Sequence, residues 1–473
     1  MATSGNTLSL LLPETILVVA AAIIVVGGTF NRSRTTWVST SVIGFVLAGL
    51  TLLWQRSTFA GSGLAESGPV LLDLFGGTMR WVALGLGLLF VMTIARSTNR
   101  ILTSEAIGMV SLVFAGLMLV CWAGNFVLLL LGLELISIQT YVLLFIGRRD
   151  DGSAEATVKY FFLSILSSAI FMFGVTLLFG ITGSMDLLAI REYFSQAGPG
   201  GGPASSLVLL AMIFMFGGLG FKIAAVPFHF YAPDVYQSTT NANAGLLAVV
   251  PKIAGMVALI RLAVMLFPTG LSFGWQLALV MSAITMTIGN ICALWQNNIR
   301  RMMAYSSIAH AGYMLIGLAV GMASTGKESA IYSGFSASLL YLVVYAFASL
   351  GAFAVLCEIS GGEDESQIDS VSQLAGMAKR RPWMAGALAV FMFSLAGIPP
   401  LAGFWGKMTL FTGALATANT ADAIGSGANW FLGLAILGVL NAAIAAAYYL
   451  RIVGVTYFGE VETGDADTKL GPP

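Results

Sequence analysis

Four ionisable side chains stand in stretches that otherwise carry no charge. Glu134 lies in NFVLLLLGLELISIQTYVLLFI, Lys222 in LGFKIAAVPFHFYA, Lys252 in NAGLLAVVPKIAGMVALI and Lys407 in SLAGIPPLAGFWGKM. An ionised residue in the middle of a membrane costs roughly 2.5 to 3.5 kcal/mol each, so such residues face a bundle interior or a hydrated path. The chemistry open to them is proton exchange. An ammonium in apolar surroundings gives up its proton readily, and keeps it when a carboxylate is near. A buried salt bridge is the plainer alternative. It would pair Glu134 with one lysine and leave two lysines without a counter-charge, and buried pairs are weak evidence for stability.

The remaining titratable groups are fewer. His310 lies in AYSSIAHAGYMLIG, where it is either a hydrogen-bonded core side chain or a bridge that titrates near neutral pH. His229 stands between Pro227 and Pro233 and is a second, lesser candidate. Lys159 and Arg261 fall near the ends of apolar runs, where long side chains reach the interface; Lys159 is kept as a weak candidate for the relay. Cys121, Cys292 and Cys357 sit in separate apolar runs without ligand spacing. With two histidines in the chain, haem, iron–sulfur and zinc sites have no donor set, and no cofactor is expected here. GPGGGP at 198–203 lacks the GK[ST] of a phosphate loop and reads as a turn.

The elements that must hold these residues follow from composition. Of 473 residues, 58% are hydrophobic and 9% charged, with mean hydropathy +0.89. Lys+Arg and Asp+Glu are equal at 22, so no basic field for nucleic acid exists. Apolar runs of about 20 residues describe an all-α polytopic membrane protein. Thirteen spans are expected, at 9–30, 36–54, 76–95, 106–122, 125–146, 158–181, 206–229, 243–266, 275–296, 303–322, 331–357, 384–412 and 429–450. No Lys or Arg precedes Arg32, so the first run is read as a retained helix rather than a signal peptide. With the N-terminus outside, twelve basic residues fall in inside loops, Arg300 among them. Arg56, Arg80, Arg191 and Lys327 fall outside. That bias agrees with the positive-inside rule.

Pro227 in the seventh span and Pro399–Pro400 in the twelfth should break their helices, with Lys222 beside one break and Lys407 beside the other. Broken helices at membrane depth occur inside protein or beside a cavity. An offset of five spans reverses orientation, which suggests two inverted five-helix repeats. The expected units are three N-terminal helices (1–105), a first repeat (106–270), a second repeat (271–455) and a polar tail (456–473).

LLPETILV, LLGLELISIQTYVL, GFKIAAVPFHFYAPDVYQ, VVPKIAGMVALIR, NNIRRMMAYSSIAHAGYMLIG and SLAGIPPLAGFWGKM, in this order, resemble the antiporter-like membrane subunits of respiratory complex I. Some sister branches, and related cation/proton antiporters, carry Trp-Leu-Pro-Asp after the histidine; FYAPDVYQ here differs from them. After APDVY the family usually has a proline-containing turn, where this chain has QSTTNANAGLL. The family fold has fourteen helices, and GDADTKLGPP follows shortly after the thirteenth expected here. The resemblance implies that Glu134 pairs with Lys222, Lys252 is a central relay, Lys407 exchanges protons toward one face, and His310 belongs to the polar axis between them. It further implies a proton-translocating subunit in a bacterial inner membrane, partnered by other membrane-arm subunits and the lipid bilayer. Flavin, iron–sulfur clusters and quinone would then sit on other subunits. A cation/proton antiporter subunit without redox partners is the alternative.

Overall fold

The computed structural model describes residues 8–31, 33–59, 65–67, 69–97, 102–148, 150–197, 205–266, 272–324, 328–360, 368–419 and 428–460. Its elements are α1 (Leu12–Gly28), α2 (Arg34–Phe59), β1 (Ala65–Ser67), β2 (Val70–Leu72), α3 (Leu74–Ser97), α4 (Thr103–Trp122), α5 (Phe126–Gly147), α6 (Asp151–Thr182), α7 (Leu187–Ala197), α8 (Ser205–Lys222), α9 (Tyr231–Ser238) and α10 (Asn241–Leu266). They continue with α11 (Ser272–Leu294), α12 (Ile299–Ala323), α13 (Glu328–Ile359), α14 (Met377–Arg380), α15 (Pro382–Ala396), α16 (Ala402–Asn419) and α17 (Ala428–Phe458). In lipid each backbone polar group must be satisfied within its own segment, and the long apolar runs meet that demand as helices. Pro13 occupies the first turn of α1, where a missing N–H costs nothing. Asn125, Asp150 and Asn298 cap α5, α6 and α12 by accepting from Leu128, Ser153 and Arg301 N–H at 2.8, 2.7 and 3.0 Å.

Ten of the described helices are long and apolar enough to cross a membrane, and Leu12–Gly28, Ser206–Lys222 and Pro382–Ala396 are apolar but shorter. α10 and α12 are buried along almost their whole length and form the centre. α8, α12 and α13 pack on α10, and α12 and α13 both pack on α16.

The links hold more structure than expected. The 55–75 link contains the antiparallel β1–β2 pair, with Glu66 opposite Leu71. The 182–205 link contains α7, and the 358–383 link contains α14 and a short 3₁₀ turn at Val371–Leu374. The GPGGGP turn, residues 461–473 of the tail, and Arg32, Arg100, Arg149 and Lys327 lie outside the described residues.

Three basic residues depart from the loop and interface positions expected of them. Arg80 is fully buried in α3 and lies 2.7 Å from the Glu14 carboxylate. Arg261 does not reach the interface; it is 2% exposed and pairs with Asp73 at 3.2 Å. Arg300 is buried at the start of α12 and pairs with Asp369 at 2.5 Å. An acidic partner from a distant part of the chain, Glu14 on α1 or the loop residues Asp73 and Asp369, offsets part of the cost of burying each guanidinium.

Candidate functional site

Two helix breaks frame the interior, and they match bond by bond. α8 ends at Lys222; Ala224 N–H donates to Phe221 O at 2.9 Å and Ala225 N–H to Gly220 O at 2.8 Å. α15 ends at Ala396; Gly397 N–H donates to Ser394 O at 3.1 Å and Ile398 N–H to Phe393 O at 3.0 Å. Each is a Schellman ending, with a left-handed residue at φ +57° (Ala224) and +87° (Gly397). A turn follows in both: Phe228 N–H to Ala225 O at 2.7 Å, and Leu401 N–H to Ile398 O at 3.1 Å. Val226–Pro227 and Pro399–Pro400 are cis. Corresponding atoms are 173 positions apart throughout. The seventh-span helix therefore stops earlier than expected, five residues before Pro227. A proline interferes with the carbonyl four residues before it as well as at its own nitrogen.

The two lysines stand on opposite sides of their breaks. Lys222 closes α8. Its Nζ donates to Ser137 Oγ at 2.6 Å and Ser164 Oγ at 3.1 Å, and lies 4.0 Å from Glu134 Oε1. Glu134 in turn accepts a hydrogen bond from Ser168 Oγ. The carboxylate is part-buried while the lysine is buried, so the pair runs from the bundle edge inward. Lys407 lies beyond its break, in α16. Its Nζ donates to Leu395 O at 3.0 Å and Ala396 O at 2.8 Å, the unpaired carbonyls at the end of α15. A cation belongs there, since helix C-termini carry partial negative charge. Close approach is what permits this: a methyl group at Gly403 would overlap the Ser394 carbonyl, and one at Gly397 would lie 3.0 Å from Lys407 Cδ.

Lys252 lies between the breaks. It is 1% exposed and makes no hydrogen bond or ion pair among the described residues. α10 passes through Pro251 without ending. One turn from Lys252, Gly255 lets α10 meet the first break; a methyl group there would stand 3.4 Å from Lys222 Cβ.

His310, in α12, is held by hydroxyls. Nδ1 bonds Tyr341 Oη at 2.6 Å and Nε2 bonds Tyr449 Oη at 2.9 Å; Tyr449 also bonds Ser306 Oγ. The Tyr345 ring lies 4.8 Å from the imidazole, and its hydroxyl donates to Ala248 O, one turn before Lys252, at 3.1 Å. Tyr341 packs against Gly406, next to Lys407, and Lys407 Nζ stands 5.0 Å over the Tyr313 ring. Contacts thus run without interruption from Glu134 and Lys222 through α10, Tyr345, His310 and Tyr341 to Lys407.

Two weaker candidates stand apart. Lys159 is exposed and pairs with Glu155 at 2.6 Å. His229 lies in the turn before α9, and no hydrogen bond joins it to Glu134 or Lys222 among the described residues. Conversely, Ser137, Ser164, Ser168, Tyr341, Tyr345 and Tyr449 were not singled out in the sequence. Ser137 could have been, standing three residues from Glu134 on the same helical face. The tyrosines left no local signal.

The model of one family, described as NADH:quinone oxidoreductase/Mrp antiporter, TM, matches residues 123–428. NADH-quinone oxidoreductase subunit N of Trichlorobacter lovleyi is 37% identical over 464 residues, covering 96% of this chain and 89% of that protein. A chain of respiratory complex I from Thermus thermophilus with bound aureothin superposes with a TM-score of 0.75 at 30% identity, covering 95% of this chain and 91% of that one. A chain of the Mrp complex from Dietzia sp. shares the fold, with a TM-score of 0.77 at 22% identity, covering 98% of this chain and 82% of that one.

Proposed function

The chain belongs to the NADH:quinone oxidoreductase/Mrp antiporter membrane family, in its subunit N branch, and from that premise we propose that it is a proton-translocating membrane-arm subunit of an NADH:quinone oxidoreductase. The observation that supports this reading is the set of interior titratable groups, the part-buried Glu134 paired with buried Lys222 and then the buried Lys252, His310 and Lys407, with packing through α10, Tyr345 and Tyr341 between them. An interior built for stability alone has no use for a buried lysine with no partner among the described residues.

In this reading a proton moves along the row in response to charge. Lys222 holds its proton while Glu134 is ionised nearby; when that carboxylate is neutralised or withdrawn, the proton is free to move inward to Lys252. His310, with a tyrosine hydroxyl on each ring nitrogen, passes it on without creating a lasting charge. Lys407 receives it, its ammonium held by the Leu395 and Ala396 carbonyls through charge-assisted bonds. The chain performs no redox step itself. Quinone reduction on other subunits supplies the drive, and flavin, iron–sulfur clusters and quinone are held there.

We assign residues 106–270 and 271–455 to two inverted repeats, a division supported by the matched helix endings at Ala224 and Gly397. The protein sits in a bacterial inner membrane with its N-terminus outside.

The test uses sealed vesicles carrying the assembled complex, with quinone reduction and a pH-sensitive dye read together. Lys252→Met should lower the proton-to-electron ratio. An unchanged ratio overturns the relay. Cation-driven pH change in the absence of quinone reduction would make the protein an antiporter subunit instead.

A further inference from the structure

Four buried N–H groups in one region outside the relay have no hydrogen-bond partner among the described residues: Arg80 Nε, Trp122 Nε1, Arg261 Nε and Arg261 Nη1. Their residues are 0%, 7% and 2% exposed. They border one network where α1, α3, α4 and α10 meet. Arg80 Nη2 lies 2.7 and 2.8 Å from the two Glu14 carboxylate oxygens, and Nη1 donates to Gln55 Oε1 at 3.3 Å. The Arg80 guanidinium lies 3.6 Å over the Trp122 ring. Arg261 Nη2 donates to Asp73 Oδ1 at 3.2 Å and to the Cys121 carbonyl. Gly76 joins the two halves: its N–H donates to Asp73 Oδ1 at 2.8 Å, and a methyl group built on it would meet Trp122 Cδ1, the Cys121 carbonyl and Asp73 Oδ1 together.

An unmade hydrogen bond on a buried donor costs about 1 to 3 kcal/mol. Four in one network is more than folded proteins leave unmet, and where protein acceptors are lacking, ordered water supplies them. The ligand must be an acceptor small enough to fit among packed helices. Its charge follows from the network: two guanidinium groups face two carboxylates, so the site is formally neutral. An anion would add an uncompensated buried charge, which is costly. Water accepts from the arginine and indole N–H groups and donates to the Glu14 carboxylate, leaving the balance intact.

We propose that Arg80, Trp122 and Arg261 enclose bound water, about two molecules to serve four donors at roughly three hydrogen bonds per water. Arg261 is nine residues along α10 from Lys252, about 13 Å at 1.5 Å per residue. The water therefore ties α3 and α4 to the helix that carries the central lysine. None of its ligands belongs to the proton relay, so the two ideas stand or fall separately.

A cryo-EM map of the assembled complex that resolves ordered water tests this, with one sample in chloride and one in bromide. Density is expected within hydrogen-bond distance of Trp122 Nε1, Arg80 Nε and at least one free Arg261 nitrogen, the same in both samples. Absent density overturns the proposal, and so does a peak that strengthens in bromide, which would mark an anion site. Trp122→Phe keeps the ring beneath Arg80 and removes one donor. The water beside residue 122 should vanish while the water at Arg261 stays; unchanged density at residue 122 would also overturn it.

Discussion

Ala224 and Gly397 occupy the same place in two matching helix endings, one with a side chain and one without. A left-handed conformation costs an L-residue with a Cβ roughly 1 to 2 kcal/mol. Ala224→Gly should therefore raise the midpoint of thermal inactivation of the complex, by the equivalent of about 1 kcal/mol once the added freedom of the unfolded chain is subtracted. Gly397→Ala should lower the midpoint, and more steeply, since the new methyl group meets Lys407 Cδ at 3.0 Å. Thermal inactivation profiles of both variants check the pair; a lower midpoint for Ala224→Gly contradicts the argument.

Glu134 and Lys222 form a pair separated by 4.0 Å, the carboxylate bonded by Ser168 and the ammonium by Ser137 and Ser164. Glu134→Gln and Lys222→Met should each reduce pumping severely. Breaking a buried pair on one side costs about 3 to 5 kcal/mol when the remaining charge is fully desolvated, and less here because Glu134 is part-exposed. The double variant leaves no charge alone, so it should assemble at least as well as either single variant and still not pump. Native gels and dye quenching across the four members of the cycle decide this. Normal pumping by the double variant would reduce the pair to a structural role.

Lys252 is buried and has no hydrogen-bond or ion-pair partner among the described residues to strand. Lys252→Ala should accordingly leave assembly intact while cutting coupled quinone reduction and pumping. Lys252→Arg should restore little, because a guanidinium does not release its proton at accessible pH. Full activity in the arginine variant would mean that positive charge alone is needed at this position.

Tyr449 supplies the hydroxyl that bonds both His310 Nε2 and Ser306 Oγ. Tyr449→Phe keeps the ring packing and leaves the imidazole nitrogen with an unmet bond, at about 1 to 3 kcal/mol. Pumping per electron should fall while assembly persists. A wild-type proton-to-electron ratio in this variant would remove the hydroxyl from the proton path.

The buried charges were legible because the cost of burying them is read locally. A lysine inside a long, largely apolar run has to be explained wherever the helix ends up. The second break was legible for the same reason: Gly397 followed by Pro399 and Pro400 is a helix ending written in residue types. At the first break the cue was weaker. Alanine has no preference for the left-handed conformation that Ala224 adopts, so the sequence pointed to Pro227 while the helix stops at Lys222.

Tertiary structure alone decided the partners of the buried arginines and of His310. A basic residue near the end of an apolar run looks the same whether it reaches lipid headgroups or turns inward. Arg80 and Arg261 turn inward because Glu14 and Asp73 wait there, 66 and 188 residues away in sequence. The tyrosines around His310 follow the same logic: Tyr449 is 139 residues from the ring it bonds. A hydroxyl in an apolar helix gives no sign of its partner until α12, α13 and α17 pack. Residue type therefore fixed which groups could carry a proton, since burial cost belongs to the residue. Packing fixed which groups meet, since a hydrogen bond is made only when helices distant in sequence bring two atoms within about 3 Å.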